Sequence, residues 1–339
     1  MANIEAVAKQ AGVSVASVSR VINGTAARAD TEERVRKAIA ELGYQPNSAA
    51  RALKVRQSEQ ICLSFDDLAN PAYIAMTRGV GRALSSTKYR LILSSAFSSV
   101  EEIVKHLQTM GRGFADGLII SPIYSDERIT KLISELQMPV VLIGTMPEGI
   151  EVDNVFVDSS AGVSMAVQHL VETGRSKIGL INGPLNTKPG VRRKAAFETA
   201  IKAAGLKFDN SSVVQANTFS PEAGFFAFSE ISDFSKFDAF VCANDQLAAG
   251  AMKFASENGI AIPSDIAIIG IDNTDMASLL HPTLTSVDLR AEERGEIAAD
   301  LMLDRLANPD RAPKQIAVEP KLVIRESTGI ASRKTASKK

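Results

Sequence analysis

The sequence has no tryptophan, two cysteines and three histidines among its 339 residues, and these low counts limit its chemistry. Cys62 and Cys242 each lie in a short apolar run, which favours two small core residues over a disulfide framework or a metal site. His106, His169 and His281 do not have a metal-ligand or catalytic-triad spacing. We therefore expect no cofactor, no metal and no enzymatic activity.

Long apolar runs are also missing, both one that would span a bilayer and an N-terminal one of the signal-peptide type. We therefore expect a cytoplasmic protein without a membrane partner. The formal net charge is -1, so the whole molecule is not a general binder of polyanions. In residues 1–56, however, basic side chains outnumber acidic ones nine to five. A basic first segment on a mildly acidic body indicates contact with phosphates.

Residues 4–23 have the pattern of two short helices joined by a tight turn, because Gly12 allows the turn and Ser14 can cap a second helix. Such a pair is either a structural hairpin or a helix-turn-helix, in which the second helix faces base edges. Arg20 can bond a guanine bidentately, and Val15 and Ala16 can touch thymine methyl groups. The predicted DNA contacts here are Ser14, Val15, Ala16, Ser17, Ser19, Arg20 and Asn23.

A third helix is predicted to start at Asp30, which forms a capping-box pattern with Glu33, and to end at Gly43. Pro46 stops this helix, and Asn47 can cap a short alanine-rich helix that is marginal in isolation. This segment is predicted to be a linker that orders when something holds it.

From about residue 60, short apolar runs alternate with amphipathic stretches. Continuously apolar strands that alternate with helices indicate parallel sheets covered on both faces. A stretch of about 270 residues is too long for one ordinary sheet, so two doubly wound lobes are predicted. The predicted strands are Ile61–Phe65, Leu91–Ser94, Gly117–Ile120, Val140–Gly144, Val155–Asp158, Ile178–Asn182, Ala239–Ala243 and Ile266–Ile271.

The sequence resembles the lactose/galactose repressor (LacI/GalR) family from about residue 3 to residue 329. The stretches that carry the resemblance are 7–23, 43–53, Asn70-Pro71, 158–162, Ala243-Asn-Asp245, Gly270-Ile-Asp272 and 282–287. The resemblance implies a sequence-specific transcriptional regulator, expected to be a repressor, that binds a pseudo-palindromic double-stranded DNA operator as a homodimer or dimer of dimers. A small-molecule effector is expected to control operator affinity. A sugar is the expected effector, and a nucleoside or purine is the alternative.

The resemblance also implies the fold: an α/β protein with an N-terminal all-α helix-turn-helix domain and a periplasmic-binding-protein-like bilobed domain of two doubly wound parallel sheets. The predicted parts are a DNA-binding domain over 1–45, a hinge helix and linker over 46–59, an effector-binding and dimerisation domain over 60–330, and a disordered tail over 331–339. The chain is expected to cross between the lobes near residues 158 and 287.

In the hinge helix, the resemblance implies a segment that enters the minor groove of DNA. Leu53 matches a leucine that wedges between central base pairs, and Ala50 is small enough for two hinge helices to pack closely. Without the family, Leu53 is an ordinary apolar residue of a linker helix. Asn47, Ala50 and Leu53 complete the predicted DNA contacts.

Polar residues that directly follow apolar runs are candidates for a cleft at the carboxyl ends of the strands. They are Asp66, Asp67, Asn70, Asp158, Asn244, Asp245, Asp272 and Asn273. Asp158 and Asp245 can instead cap the helices that follow their strands.

By the resemblance, Asp272 and Asn244 bond sugar hydroxyls, Arg193 reaches into the cleft, Phe219 stacks on the ligand and Tyr73 closes the near side. A carboxylate, an amide, a guanidinium and a ring suit a polyol, although a nucleoside uses similar groups. Phe219 is alternatively a core residue, and Arg193 a surface charge. The predicted effector contacts are Asn70, Tyr73, Arg193, Phe219, Asn244 and Asp272.

A solute-binding protein without a DNA function is the other class that fits the larger part of the chain. It explains residues 60–330 equally well. It does not explain residues 1–56, and it requires an export signal that the sequence does not show.

Overall fold

The computed structural model describes residues 3–22, 24–25, 27–45, 57–94, 99–147 and 149–329. The chain divides into two compact units, residues 1–59 and 60–339. Within the described ranges, no helix is both long and apolar enough to cross a membrane. Several predictions lie outside the described residues: those for Asn23, for the hinge residues Asn47, Ala50 and Leu53, and for the tail 331–339.

The first unit contains three helices, α1 (Ile4–Ala11), α2 (Val15–Ile22) and α3 (Ala29–Leu42). Gly12 ends α1 with φ +64°, a left-handed conformation that glycine adopts at little cost. The three helices share one small core of buried alanine and valine side chains. This arrangement confirms the predicted helical N-terminal domain.

The predicted capping box of the third helix is wrong. The helix begins at Ala29, with Arg28 as a cap residue that makes no side-chain hydrogen bond. Asp30 therefore lies in the first turn, where its carboxylate pairs with Arg34 at 3.4 Å. An acidic group in the first turn still favours the helix, because it faces the positive end of the helix dipole.

The second unit contains two six-stranded sheets. The first sheet has the order β11-β5-β4-β3-β1-β2, and the second has the order β12-β10-β9-β8-β6-β7. All neighbours pair in parallel except β10 and β12. The strands are β1 (Gln60–Phe65), β2 (Arg90–Ser94), β3 (Gly117–Ser121), β4 (Val140–Ile143), β5 (Asp153–Val157), β6 (Ile178–Asn182), β7 (Val213–Gln215), β8 (Ala239–Cys242), β9 (Ala267–Ile271), β10 (Thr285–Asp288), β11 (Gln315–Val318) and β12 (Lys321–Val323).

Helices pack around both sheets, each sheet with its helices forming one lobe. In the described residues they are α4 (Pro71–Leu84), α5 (Val100–Met110), α6 (Glu127–Glu135), α7 (Ser159–Glu172), α8 (Lys188–Ala203), α9 (Pro221–Ser229), α10 (Asp245–Glu257), α11 (Asp275–Leu279) and α12 (Ala291–Ala307). Of these, α4, α5, α6 and α12 belong to the first lobe, because α12 packs on α4 and on the first sheet. The chain therefore passes between the lobes after β5, after β10 and between β11 and β12.

Each lobe buries apolar side chains on both faces of its sheet. Strands β4, β6, β8 and β9 are buried along their whole length, as expected for parallel strands covered by helices. Cys62 and Cys242 are free, buried core residues, as predicted. The predicted class, two doubly wound parallel sheets, is confirmed.

Candidate functional site

Helix α2 presents a polar, largely exposed face in the first unit. Val18 and Val21 point into the core, which fixes the orientation of the helix. Ser14 caps the helix by accepting from the backbone N–H of Ser17 at 3.2 Å. Of the predicted DNA contacts on this segment, Ser14, Val15, Ala16 and Arg20 are exposed, and Ser17 and Ser19 are half-buried.

Arg20 is the cation on this face. Its side chain is exposed and makes no hydrogen bond or ion pair with any described residue. Its backbone carbonyl accepts from the Thr25 hydroxyl at 2.9 Å, which closes the end of the helix. The guanidinium is therefore free to donate to an external acceptor such as a base edge or a phosphate.

A cleft of about 730 Å³ lies between the two lobes of the second unit. It is formed at the carboxyl ends of the parallel strands, where ligands of such folds collect. Its walls bring together all six predicted effector contacts: Asn70, Tyr73, Arg193, Phe219, Asn244 and Asp272. Asp66 and Asp67 also line it.

Arg193 and Asp272 form a buried ion pair beside this cleft. The guanidinium Nη2 lies 3.8 Å from the Asp272 carboxylate, and each side chain is 9% exposed. Arg193 also donates to the backbone carbonyl of Ala243. Burial raises the pKa of Asp272, and the positive charge of Arg193 opposes that rise. Asp272 has φ +105°, an unusual conformation for a residue with a side chain, and such strain is typical of functional sites.

Asn70 and Asn244 are helix caps as well as cleft residues. Asn70 accepts from the backbone N–H of Ala72 at 3.0 Å. Asn244 accepts from the backbone N–H of Leu247 at 2.8 Å and donates to the carbonyl of Phe219 at 3.1 Å. Each amide therefore has fewer groups left for a ligand than a free side chain has.

Tyr73 lies on the wall formed by the first lobe. Its ring stacks on Phe65 with centroids 4.8 Å apart, and its hydroxyl lies 3.5 Å from the Asp66 carboxylate. Asp66 is 7% exposed, and one of its carboxylate oxygens has no hydrogen-bond partner. Burial raises the pKa of Asp66 to about 7, although its hydrogen bonds partly lower it.

Phe219 supplies the aromatic surface of the second lobe. Its ring packs against Gly183, where a Cβ atom would lie 2.0 Å from the ring. The glycine thus makes room for the ring at the cleft wall. Phe219 is half-buried and combines contact with the core with exposure to the cleft.

Three other candidates do not line this cleft. Asp158 caps α7 by accepting from the backbone N–H of Ser160 at 2.8 Å. Asp245 is fully buried and accepts from both the backbone N–H and the hydroxyl of Thr274, at 2.7 and 2.9 Å. Asn273 accepts from Arg325 at 2.7 Å. These residues fix the strand ends that carry the cleft.

The sequence interpretation missed three cationic residues of the cleft, Lys188 and Arg192 in α8 and Arg294 in α12. Lys188 lies shortly before Arg192, Arg193 and Lys194, and such a basic stretch is typical of a solvated surface. Arg294 follows two glutamates in an amphipathic stretch, which is typical of a solvated helix face. Their positions depend on tertiary packing, and we find no local signal that marks them.

Hydrogen bonds bridge the lobes around the cleft. The backbone N–H of Lys188 donates to the carbonyl of Ile123 at 2.7 Å. The Gln246 amide donates to the carbonyl of Ala69 at 3.1 Å. At another position, Arg192 donates to the Thr145 hydroxyl. The lobes are therefore held together by direct contacts on more than one element.

Arg78 on α4 and Asp275 on α11 form a further bridge between the lobes, with an N–O distance of 2.7 Å. Both side chains are exposed, and neither lines the main cleft. This pair is therefore separate from the groups available to a ligand.

Two family models match the chain. Residues 3–47 match bacterial regulatory proteins of the lacI family, and residues 167–328 match the periplasmic binding protein-like domain. The two matches fall in the two units that the structure separates. The first match contains α1, α2 and α3.

Similar proteins include two transcriptional regulators. The HTH-type transcriptional regulator CelR of Thermobifida fusca is 32% identical over 338 residues, covering 96% of this chain and 97% of the relative. The HTH-type transcriptional repressor PurR of Escherichia coli O1:K1 is 33% identical over 331 residues, with the same coverage of both chains.

Solved structures give the same result. A complex of the transcriptional regulator CelR with cellobiose has a TM-score of 0.72 and 30% identity, and covers 96% of this chain and 100% of that one. A Lac repressor dimer bound to operator and the anti-inducer ONPF has a TM-score of 0.86 and 25% identity, and covers 97% and 99%. The chain therefore belongs to the lacI family of bacterial regulatory proteins and is a DNA-binding transcriptional regulator with an effector-binding domain.

Proposed function

We propose that α2 reads base edges in the major groove of an operator and that Arg20 is its main reading residue. The observation that carries this proposal is the exposed Arg20 guanidinium, which has no partner in the described residues. The exposed side chains of Val15 and Ala16 offer apolar contacts of the kind that thymine methyl groups accept. Hydroxyl groups at Ser14, Ser17 and Ser19 suit phosphate or sugar oxygens.

We infer that the operator is bound by a homodimer, through a hinge over residues 46–59 with Asn47, Ala50 and Leu53 in the minor groove. The support is the Lac repressor dimer bound to operator, which covers 97% of this chain. Two copies place two reading helices about one DNA turn apart, which favours a pseudo-palindromic site.

The first experiment selects the operator from random duplexes and then measures affinity by fluorescence anisotropy. Arg20→Ala is expected to weaken specific binding by about 1–3 kcal/mol and to relax the choice at one base pair, because a bidentate contact to guanine is lost. Arg36→Ala is the control, since Arg36 is an exposed arginine of the same unit that pairs with Glu32 at 2.7 Å. Unchanged binding by the Arg20 variant would remove it from the reading set.

We propose that the inter-lobe cleft binds a sugar or a closely related polyol that controls operator affinity. Asp272 and Arg193 offer a buried acceptor and donor for hydroxyl groups, and Tyr73 and Phe219 offer rings for an apolar sugar face. The cellobiose complex of a relative supports a carbohydrate over a nucleoside.

The effector proposal is tested by adding sugars and nucleosides to the complex of protein and operator. A ligand of the cleft is expected to raise the melting temperature and to change operator affinity, because it binds one arrangement of the lobes better than another. If only nucleosides change operator affinity, the proposal of a sugar effector is wrong. If no compound binds, the proposal that a small molecule controls operator affinity is wrong.

A further inference from the structure

Among the buried and half-buried arginines of the effector-binding unit that the structure describes, Arg294 is the one whose side chain has no partner. In the described residues, its side chain makes no hydrogen bond or ion pair, and its Nε is buried. The other buried or half-buried arginines of this unit all donate to a protein oxygen or form an ion pair: Arg175, Arg193, Arg290, Arg305, Arg311 and Arg325. A buried guanidinium without a partner is costly, so its presence at a cleft wall points to an external acceptor.

The charges around Arg294 leave positive charge without a counter-ion. Asp272 is the carboxylate that acts most strongly on Arg294, but Asp272 is already the partner of Arg193. Asp66 carries only part of a charge at neutral pH, because burial raises its pKa to about 7. Lys188 adds another cation from the second lobe. Asp272 therefore faces both Arg193 and Arg294, and Asp288 acts on Arg294 only more weakly.

The other groups that line the cleft with Arg294 suit a polyol. The free oxygen of Asp66 and the hydroxyl of Tyr73 can bond ligand hydroxyls, and the rings of Tyr73 and Phe219 can cover an apolar face. A single guanidinium matches the planar fork of a carboxylate, with two parallel hydrogen bonds. A phosphate dianion fits less well, because Asp272 and Asp66 lie near the same place.

We propose that the effector is a sugar acid, such as a uronic or aldonic acid, and that Arg294 binds its carboxylate. This inference rests on the proposed function, in which the cleft holds the effector. Arg294 then contributes specificity, since it distinguishes an acid from its neutral parent sugar, and α12 becomes part of the ligand site.

The test measures binding of matched pairs by isothermal titration calorimetry: glucose with glucuronate and gluconate, galactose with galacturonate and galactonate, and xylose with xylonate. At least one acid is expected to bind tenfold or more tightly than its parent. Arg294→Met should weaken that acid by about 10- to 100-fold, as expected for a charged hydrogen bond, and change the parent little. Arg82→Met is the matched control. Arg82 lies outside the main cleft and pairs with Glu292 and Glu296 of α12, the helix that carries Arg294.

A measurement without ligand checks the premise. Arg294→Met should raise the melting temperature of the free protein by about 2 °C or more, because it removes an unpartnered buried charge. A fall in melting temperature would show that Arg294 supports the fold, and would overturn the inference.

The ligand results separate the two proposals. If neutral sugars bind and change operator affinity while no acid binds better than its parent, the sugar-acid inference is overturned and the proposed function stands. The inference also fails if a sugar phosphate outcompetes every acid, or if the Arg294 variant binds acids as the wild type does. If no compound of any class binds, both proposals fail.

Discussion

Asp66 is a buried carboxyl group whose ionisation should change the stability of the effector-binding unit. Its pKa is about 7 in the folded protein and 3.8 without the fold, so the folded state binds more protons between these values. Stability should therefore fall as pH rises from about 4 to 7. Asp66→Asn is expected to flatten this dependence and to raise the melting temperature at pH 8 by about 2–4 °C, with little change at pH 5.

Thermal unfolding between pH 5 and pH 8 measures this effect. The control is Asp67→Asn, because Asp67 is the exposed neighbour and its carboxylate accepts from the backbone N–H of Ala69 at 2.8 Å. The control should keep most of the pH dependence of the wild type, because burial raises the pKa of Asp66 far more than the charge of Asp67 does. Equal curves for the wild type and the Asp66 variant would contradict the assigned ionisation.

Individual cleft residues differ in how far the sequence could identify them. Asp272 follows a buried strand directly, so its position at the strand end could be predicted from the apolar run before it. The amides of Asn70 and Asn244 were also placed at strand ends, but their use as caps depends on where each helix begins. Arg294 could not be predicted, because the packing of its helix decides which face meets the cleft.

Helices α4 and α12 cross with their backbones in close contact, and glycines make this possible. A Cβ atom at Gly79 would lie 1.9 Å from the carbonyl oxygen of Glu292, and one at Gly295 would lie 2.2 Å from that of Met76. Gly79→Ala must push the two helices apart. We expect it to lower the melting temperature by about 5 °C or more, as severe overpacking does.

Gly81 provides a control in the same helix, because a Cβ atom there meets nothing within 4 Å. Gly81→Ala is expected to be neutral or to stabilise the helix by up to about 1 kcal/mol, since alanine is the better helix former. Differential scanning calorimetry of both variants measures the two melting temperatures. Similar effects of the two substitutions would show that the close helix crossing is not the reason why position 79 requires glycine.

Strands were predictable where they are continuously apolar and missed where they are short or polar. The eight apolar runs correspond to β1–β6, β8 and β9, with ends that differ by a few residues. Strands β7 and β12 are three residues long and lie at sheet edges, where each pairs with one neighbour and is only partly buried, so neither forms a long apolar run. β10 contains threonine, serine and aspartate, and the side chains of Thr285 and Ser286 are buried and hydrogen-bonded to residues distant in sequence.

The two lobes are joined by three passages of the chain, and this connection lets ligand binding act on the whole effector-binding unit. The passage between β11 and β12 spans two residues, so it gives no loop signal in the sequence. The three passages hold the two lobes together on one side of the cleft. Away from these passages, hydrogen bonds and ion pairs between the lobes can form or break as the cleft closes or opens.

The Arg78–Asp275 bridge should stabilise the closed arrangement of the lobes without touching the ligand. Its two residues belong to different lobes, and neither lines the main cleft. Arg78→Met therefore removes a lobe contact and leaves the ligand groups in place. An exposed ion pair contributes about 0.2–1 kcal/mol, so the population of the closed state should fall modestly.

We expect Arg78→Met to weaken effector binding by up to about fivefold, because the ligand must then supply the lost closing energy. Calorimetric titration with the effector found by screening measures this. Arg128→Met is the control, since Arg128 pairs with Asp126 at 3.0 Å within the first lobe and should leave affinity unchanged. Equal affinities for the wild type and Arg78→Met would mean that this bridge is as strong in the open protein as in the closed one. In that case closure would have to depend on the bridges nearer the cleft, at Lys188 and Gln246.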